Sequence, residues 1–158
     1  MGTHIHAPAR SLEEIHDQAR LLLAEQDQRY TPGRRDLVDT LHEAGRPLTL
    51  PDVLDRAPGL KQSSAYRNLD VLESSGIISR INAPGDHTYY ELAENLMGHH
   101  HHLICVACGL IVDIELPANL EHIVDEGLSQ SARLAGFAPL HHTLDLFGTC
   151  ANCTQETS

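Results

Sequence analysis

The sequence predicts an α+β chain built in two parts, and three observations predict it. Helical spacing with capping residues fills residues 11 to 76; two alternating stretches follow, split by a Pro-Gly turn; then a strand, strand, helix, strand pattern runs from His102 to Phe147, interleaved with two CxxC pairs. At 158 residues the chain can form two small domains, each with its own core. No apolar run approaches the ~18 residues a membrane span needs. The first thirty residues carry charges on a polar helical pattern, with no apolar export signal. A soluble cytoplasmic protein without a membrane role is expected, in a reducing compartment where paired cysteines are more often metal ligands than disulfides.

In chain order, Ser11 caps a first helix reaching to about Arg29, with Glu14 completing a capping box. Thr31-Pro32 opens a second, carrying Leu37, Val38 and Leu41 on one face and stopped by Gly45 and Pro47. Thr49 caps a short third helix through Asp52, Val53 and Leu54, ending at Ala57-Pro58-Gly59. Ser63 caps a fourth, AYRNLDVLESSG, with Ala65, Leu69 and Leu72 inward and Gly76 as its stop. Ile77–Ile81 and His87–Leu92 then alternate around Ala83-Pro84-Gly85, which predicts a β-hairpin.

A short helix, a turn, a capped helix and a hairpin is the order of a winged helix-turn-helix, whose second helix enters the major groove of DNA. The exposed start of that helix makes Lys61, Gln62, Ser64, Tyr66 and Arg67 the candidate DNA contacts. The bland reading is that Tyr66 and Arg67 are ordinary surface residues of a packing helix. The net charge of -11 first speaks against nucleic acid, but it is unevenly spread. Residues 1–85 hold ten Lys/Arg against twelve Asp/Glu, whereas residues 86–158 hold only Arg133 against ten Asp/Glu. The acidity belongs to the second part, and the first is free to carry a local basic face.

In the second part, His102–Val106 and Leu110–Glu115 read as strands, Pro117–Leu134 as a helix ended by Gly136, and Thr143–Phe147 as a third strand. The expected domains are residues 1–92, a linker at 93–98, and residues 99–158. All four cysteines fall in two CxxC pairs, Cys105/Cys108 and Cys150/Cys153. Each pair presents two thiolates from a tight turn, half of a tetrahedron, and two such turns close a structural Zn2+ site. The rivals are two local disulfides or a redox centre, although a redox CxxC opens a helix within a βαβ pattern that this chain lacks.

Between linker and first CxxC stands GHHHH. The run is internal and abuts a strand, unlike a terminal tag. On a pleated segment neighbours face apart, so His99 and His101 point one way, and His100 and His102 the other. They form halves of two sites, each needing further donors. Glu91, His87, Asp113, Glu121 and His142 are the candidates, and mixed His/carboxylate sets suit Zn2+, Fe2+, Mn2+ or Ni2+ without distinguishing them. A solvated polar loop is the bland alternative. His4, His6, His16 and His42 lack such context and are expected on the surface.

With SSAYRNLDVLESSGI, HHHHLICVACG, LIVDIE and HHTLDLFGTCANC in view, the chain resembles the ferric uptake regulator family of metal-dependent repressors, from about Tyr30 to Cys153. The resemblance implies a C-terminal α/β dimerisation domain and a homodimer that binds a palindromic double-stranded DNA operator when loaded with metal. It also implies ligand sets: the four cysteines for structural zinc; His100, His102, Glu91 and Asp113 for a regulatory site; His99, His101, Glu121 and His142 for a further one.

The chain departs from the family pattern at several places. Iron- and peroxide-sensing members place a His just before the third helix, where this chain has Gly45-Arg46-Pro47. The unbroken HHHH and the ending FGTCANC are closer to zinc uptake regulators. The cysteine those proteins place shortly before the His run is replaced by LAENLMG, leaving His87 as a substitute ligand, and Glu121 sits one residue off the family spacing. Two other classes stay open: a zinc hydrolase, although no HExxH is present, and a metal buffer with no DNA role.

Overall fold

The computed structural model of the protein describes residues 10–155, and at His87 the backbone alone. His4 and His6, and the side chain of His87 as a substitute ligand, therefore lie outside the described residues. The chain divides into two compact units, one up to His99 and one from His100.

The first unit opens with α1, Leu12–Ala24, whose Ser11/Glu14 capping box forms as expected. The helix ends at Ala24 rather than near Arg29. Asp27 turns to φ 54, and the Gln28 N–H donates back to the Leu23 carbonyl at 2.9 Å, so a reversal satisfies the terminal carbonyl before the polar segment can continue helically. Helix α2, Pro32–Ala44, stops at Gly45 in the left-handed conformation (φ 60). The two-residue strand β1, Leu48–Thr49, leads into α3, Leu50–Arg56, capped by Thr49 with Asp52 closing a capping box. Helix α4, Gln62–Ser74, starts earlier than Ser63 would allow. Its N-cap is Lys61, whose carbonyl accepts from the Ala65 N–H at 2.9 Å, and no side-chain cap is formed.

Strands β2, Ile78–Ala83, and β3, His87–Leu92, form the expected antiparallel hairpin, in register from Ile78↔Leu92 to Ala83↔His87. Its turn places Gly85 at φ 87 and Asp86 at φ 59. Strand β1 adds itself to the free edge of β3, Leu48 opposite Tyr90, so the sheet order is β1-β3-β2. Local periodicity had no means to announce a two-residue strand. Arg80 ties the wing to α4 through Asp70 (3.1 Å) and Glu73 (2.7 Å) while lying over the Tyr90 ring. Ile15, Leu23, Leu37, Leu48, Leu69, Leu72 and Ile77, all fully buried, form the centre of one core. The segment expected as a linker carries the helical turn α5, Glu94–Met97, and its Leu96 is part of that core.

The second unit contains β4, His101–Cys105; β5, Ile111–Ile114; α6, Ala118–Leu134; β6, Asp145–Gly148; and α7, Ala151–Gln155. Its sheet order is β5-β4-β6, with β4 antiparallel to β5 and parallel to β6. The last strand begins at Asp145, two residues later than its alternating pattern starts. At its approach the Leu144 carbonyl accepts from the His102 N–H at 3.3 Å. Helix α6 buries none of its residues within the chain. No helix among the described residues is long and apolar enough to cross a membrane.

Candidate metal centres and nucleic-acid face

The two CxxC turns meet. Cys105 ends β4, Cys108 lies in the β4–β5 turn, and Cys150 and Cys153 follow β6, which pairs with β4 up to Cys105↔Gly148. One sulfur from each of the four lies within 4.8 Å of the others, and Cys108 and Cys150 Sγ are 3.8 Å apart. Tetrahedral Zn–S bonds of about 2.3 Å would set the S···S edge at about 3.8 Å, so the donor set fits zinc. All four cysteines are free thiols. The Cys150 N–H points at Cys105 Sγ from 3.3 Å and, with the Cys108 amide, pulls the Cys105 thiol down to about 6. Cys153, hydrogen-bonded to Cys150 and then Cys108, is pushed up to about 12. Crowded thiols ionise one at a time unless a cation neutralises them, which is what a shared Zn2+ would do.

On β4 the histidines alternate as the pleat requires. His101, 1 % exposed, turns to α6, where its Nε2 lies 2.8 Å from Glu121 Oε2. The other Glu121 oxygen lies 3.1 Å from His142 Nε2, and the two imidazoles stack at 5.5 Å. Glu121, despite its offset spacing, bridges the two rings. His142 Nδ1 is 3.5 Å from Asp125, one helical turn beyond Glu121.

His102 turns to the opposite face. Its Nε2 lies 3.9 Å from Asp113 Oδ1 on β5, and the His100 ring meets it edge-on at 5.0 Å. Its Nδ1 lies 2.9 Å from Asp145 Oδ1 on β6. Within this unit, ligand atoms of His100, His102 and Asp113 come within 4.8 Å of one another, as do those of His101, Glu121 and His142. These N/O sets fit a borderline divalent cation.

Glu91 and His99 belong to the first unit. Glu91 is a buried carboxylate on β3, in register with Ser79. His99 Nδ1 lies 3.1 Å from Glu94 of α5. His42 is half-buried near the end of α2, and His16, expected on the surface, is instead buried. It sits between Tyr30 (Nδ1 to Oη 2.6 Å) and Asp39 (Nε2 to Oδ1 2.8 Å), because it falls on the inward face of α1. Asp145, Asp125 and Glu94 are acids beside these histidines that sequence reasoning missed. Asp125 had a signal, its i+4 spacing from Glu121; Asp145 required knowledge of a parallel pairing.

Helix α4 buries Ala65, Leu69 and Leu72 and turns Lys61, Gln62, Tyr66 and Arg67 outward, with Ser64 half-buried. Tyr66 is 50 % exposed.

A sequence profile of the Ferric uptake regulator family matches residues 25–147. The chain belongs to that family. A "Ferric uptake regulation protein" of Legionella pneumophila is 30 % identical over 101 residues, 64 % of this chain and 69 % of the relative. A "Zinc uptake regulation protein" of Mycobacterium tuberculosis (strain ATCC 25618 / H37Rv) is 30 % identical over 119 residues, 74 % of this chain and 85 % of its own. The fold is that of the Helicobacter pylori ferric uptake regulator, with a TM-score of 0.73 at 24 % identity over 92 % of this chain and 95 % of that one. Ferric uptake regulator family proteins are dimeric, DNA-binding, metal-responsive transcriptional regulators that bind divalent metals and are not enzymes. Membership removes the zinc-hydrolase reading.

Proposed function

We propose that this family member is a zinc-sensing repressor of metal-homeostasis genes, acting in the cytoplasm as a homodimer on a palindromic operator. The observation that carries the proposal is the alternation on β4, which gives His101 and His102 separate carboxylate sets beside the cluster of four cysteines. The four cysteines hold structural Zn2+. His99, His101, Glu121 and His142 form one N/O site; His100, His102 and Asp113, joined by Glu91 and the substitute ligand His87 of the wing, form the regulatory one. Sharing a cation between the wing and the second unit would fix the angle between them. That angle sets the spacing of the two α4 helices, which must match half-sites about one helical turn apart. Without the cation the carboxylates repel one another and the reading heads are unlinked. Lys61, Gln62, Ser64, Tyr66 and Arg67 then carry the DNA contacts.

Zinc is favoured over iron by Gly45-Arg46-Pro47, which offers no His before α3, and by the zinc regulator among the relatives. Iron or peroxide sensing is the second reading, favoured by the iron regulator at equal identity.

The deciding measurement is affinity for a palindromic operator with Zn2+, Fe2+, Mn2+ and Ni2+ in turn, using protein whose thiolate site is already filled. Zinc should tighten binding by roughly 5–150-fold, the usual span of allosteric coupling, and Arg67→Ala should weaken the loaded form about 5–150-fold. Indifference to every metal defeats the switch. A response to Fe2+ and not Zn2+ defeats the subtype. Unchanged function in Arg67→Ala and Tyr66→Ala supports a metal buffer instead.

A further inference from the structure

His102 stands between two acids that do different things. The sheet registers place it opposite Asp113 on β5 and opposite Asp145 on β6, so all three side chains share one face. Asp145 Oδ1 lies 2.9 Å from His102 Nδ1, at hydrogen-bond distance, whereas Asp113 Oδ1 lies 3.9 Å from Nε2, beyond it. An ionised carboxylate only accepts, so the close contact requires the proton on Nδ1. A neutral imidazole carries one N–H; its lone pair then sits on Nε2, the nitrogen that looks towards Asp113.

We propose that Asp145 is a positioning residue for the His102 metal ligand: it fixes the Nδ1–H tautomer and the ring's orientation, and makes Nε2 a better donor. A histidine that ligates through one nitrogen and donates its other N–H to a carboxylate is a general device of metal sites. The inference rests on the reading above, that His100, His102 and Asp113 hold a divalent cation. Asp145 is well chosen for the task. It opens β6, and the same strand runs on to Gly148 opposite Cys105 and to Cys150, whose N–H meets Cys105 Sγ at 3.3 Å. The thiolate knot therefore holds the register that keeps Asp145 beside His102.

The test compares wild type, Asp145→Asn and Asp145→Ala as full chains with the thiolate site filled, checked by zinc stoichiometry and far-UV circular dichroism. Zn2+ affinity of the remaining sites is measured by chelator competition, and the His102 tautomer of the otherwise metal-free protein by 15N NMR of the imidazole. In wild type His102 should carry its proton on Nδ1. Asp145→Ala should lose about 10–100-fold in affinity at one site and shift His102 towards the Nε2–H form. Asp145→Asn, whose amide oxygen still accepts, should keep the tautomer and lose less. Unchanged affinity and tautomer in Asp145→Ala overturn the inference alone. An Asp145→Asn loss as large as that of Asp145→Ala, with the tautomer kept, overturns it in favour of Asp145 as a direct ligand. A wild type that takes up no zinc beyond the thiolate site overturns the functional reading and this inference together.

Discussion

The two units of this chain are stabilised by different means. Among the described residues, twenty buried hydrophobic side chains lie in the first unit and three, Ile104, Cys105 and Ile111, in the second. The large exposed hydrophobics are reversed: Leu21 and Tyr66 in the first, and eleven, from Val106 to Phe147, in the second. The first unit has a single hydrophobic core of its own. The second has a three-stranded sheet and a helix with no buried residue, too little buried apolar surface to offset the entropy of ordering its backbone. Small domains in that position rely on a metal or on a second copy, and here the four thiols and the apolar face are present for both. The first unit is built around its own core, while the second presents four thiols and exposed apolar side chains suited to a metal and a partner surface.

Metal removal should separate them most sharply. Structural zinc contributes on the order of 10 kcal/mol to folding. Cys150→Ser, or stripping with a strong chelator, should unfold residues 100–155 while the first unit keeps its structure. Residue-resolved NMR would follow both, and loss of α1–α4 signals together with those of β4–β6 would refute the autonomy of the first unit.

Dimerisation is the next lever. Leu146, in register with Leu103, which is itself opposite Val112, shares one face of the sheet with them, and that face borders an apolar cleft of about 270 Å³. An aspartate placed there would have to be desolvated on association. Leu146→Asp should raise the dimer dissociation constant at least about 100-fold while leaving the thiolate zinc bound; charge burial of this kind costs several kcal/mol. Sedimentation across a concentration series measures it. A dimer of unchanged strength would mean that this face is not the interface.

Legibility in the sequence follows the same division. The helices of the first unit were readable because caps, Pro and Gly act within a few residues of themselves: Ser11 with Glu14, Thr49 with Asp52, Gly45 at its positive φ. What failed there was a chain reversal at Asp27 and a backbone-only cap at Lys61, neither of which has a strong side-chain signature. In the second unit the CxxC pairs and the alternation of the His run were readable, and the paired strands placed His101 and His102 on opposite faces. Asp145 was not, because its partner is set by β6 lying parallel to β4 after a helical crossover, a contact between residues 43 apart. Long-range pairing leaves no local period to read.

The smallest expected effect tests the claim that the first unit is built from modest local increments. Thr49 Oγ1 donates to Asp52 Oδ2 at 2.7 Å and accepts from the Asp52 N–H at 3.3 Å, while the Thr49 N–H donates to Asp52 Oδ2 at 3.1 Å. The Thr49 hydroxyl, and then its backbone N–H, hold the Asp52 carboxyl below its usual 3.8. A group whose pKa is depressed on folding stabilises the protein above its unfolded value and loses that contribution as pH falls through its folded one. Thr49→Ala should therefore cost about 1 kcal/mol at neutral pH, and the gap between variant and wild type should shrink as the pH is taken below 3.8. Chemical denaturation at both ends of that range measures it. A gap that stays constant would assign the whole effect to the uncharged bond between the Asp52 N–H and the Thr49 oxygen, and the carboxylate half of the box would contribute nothing.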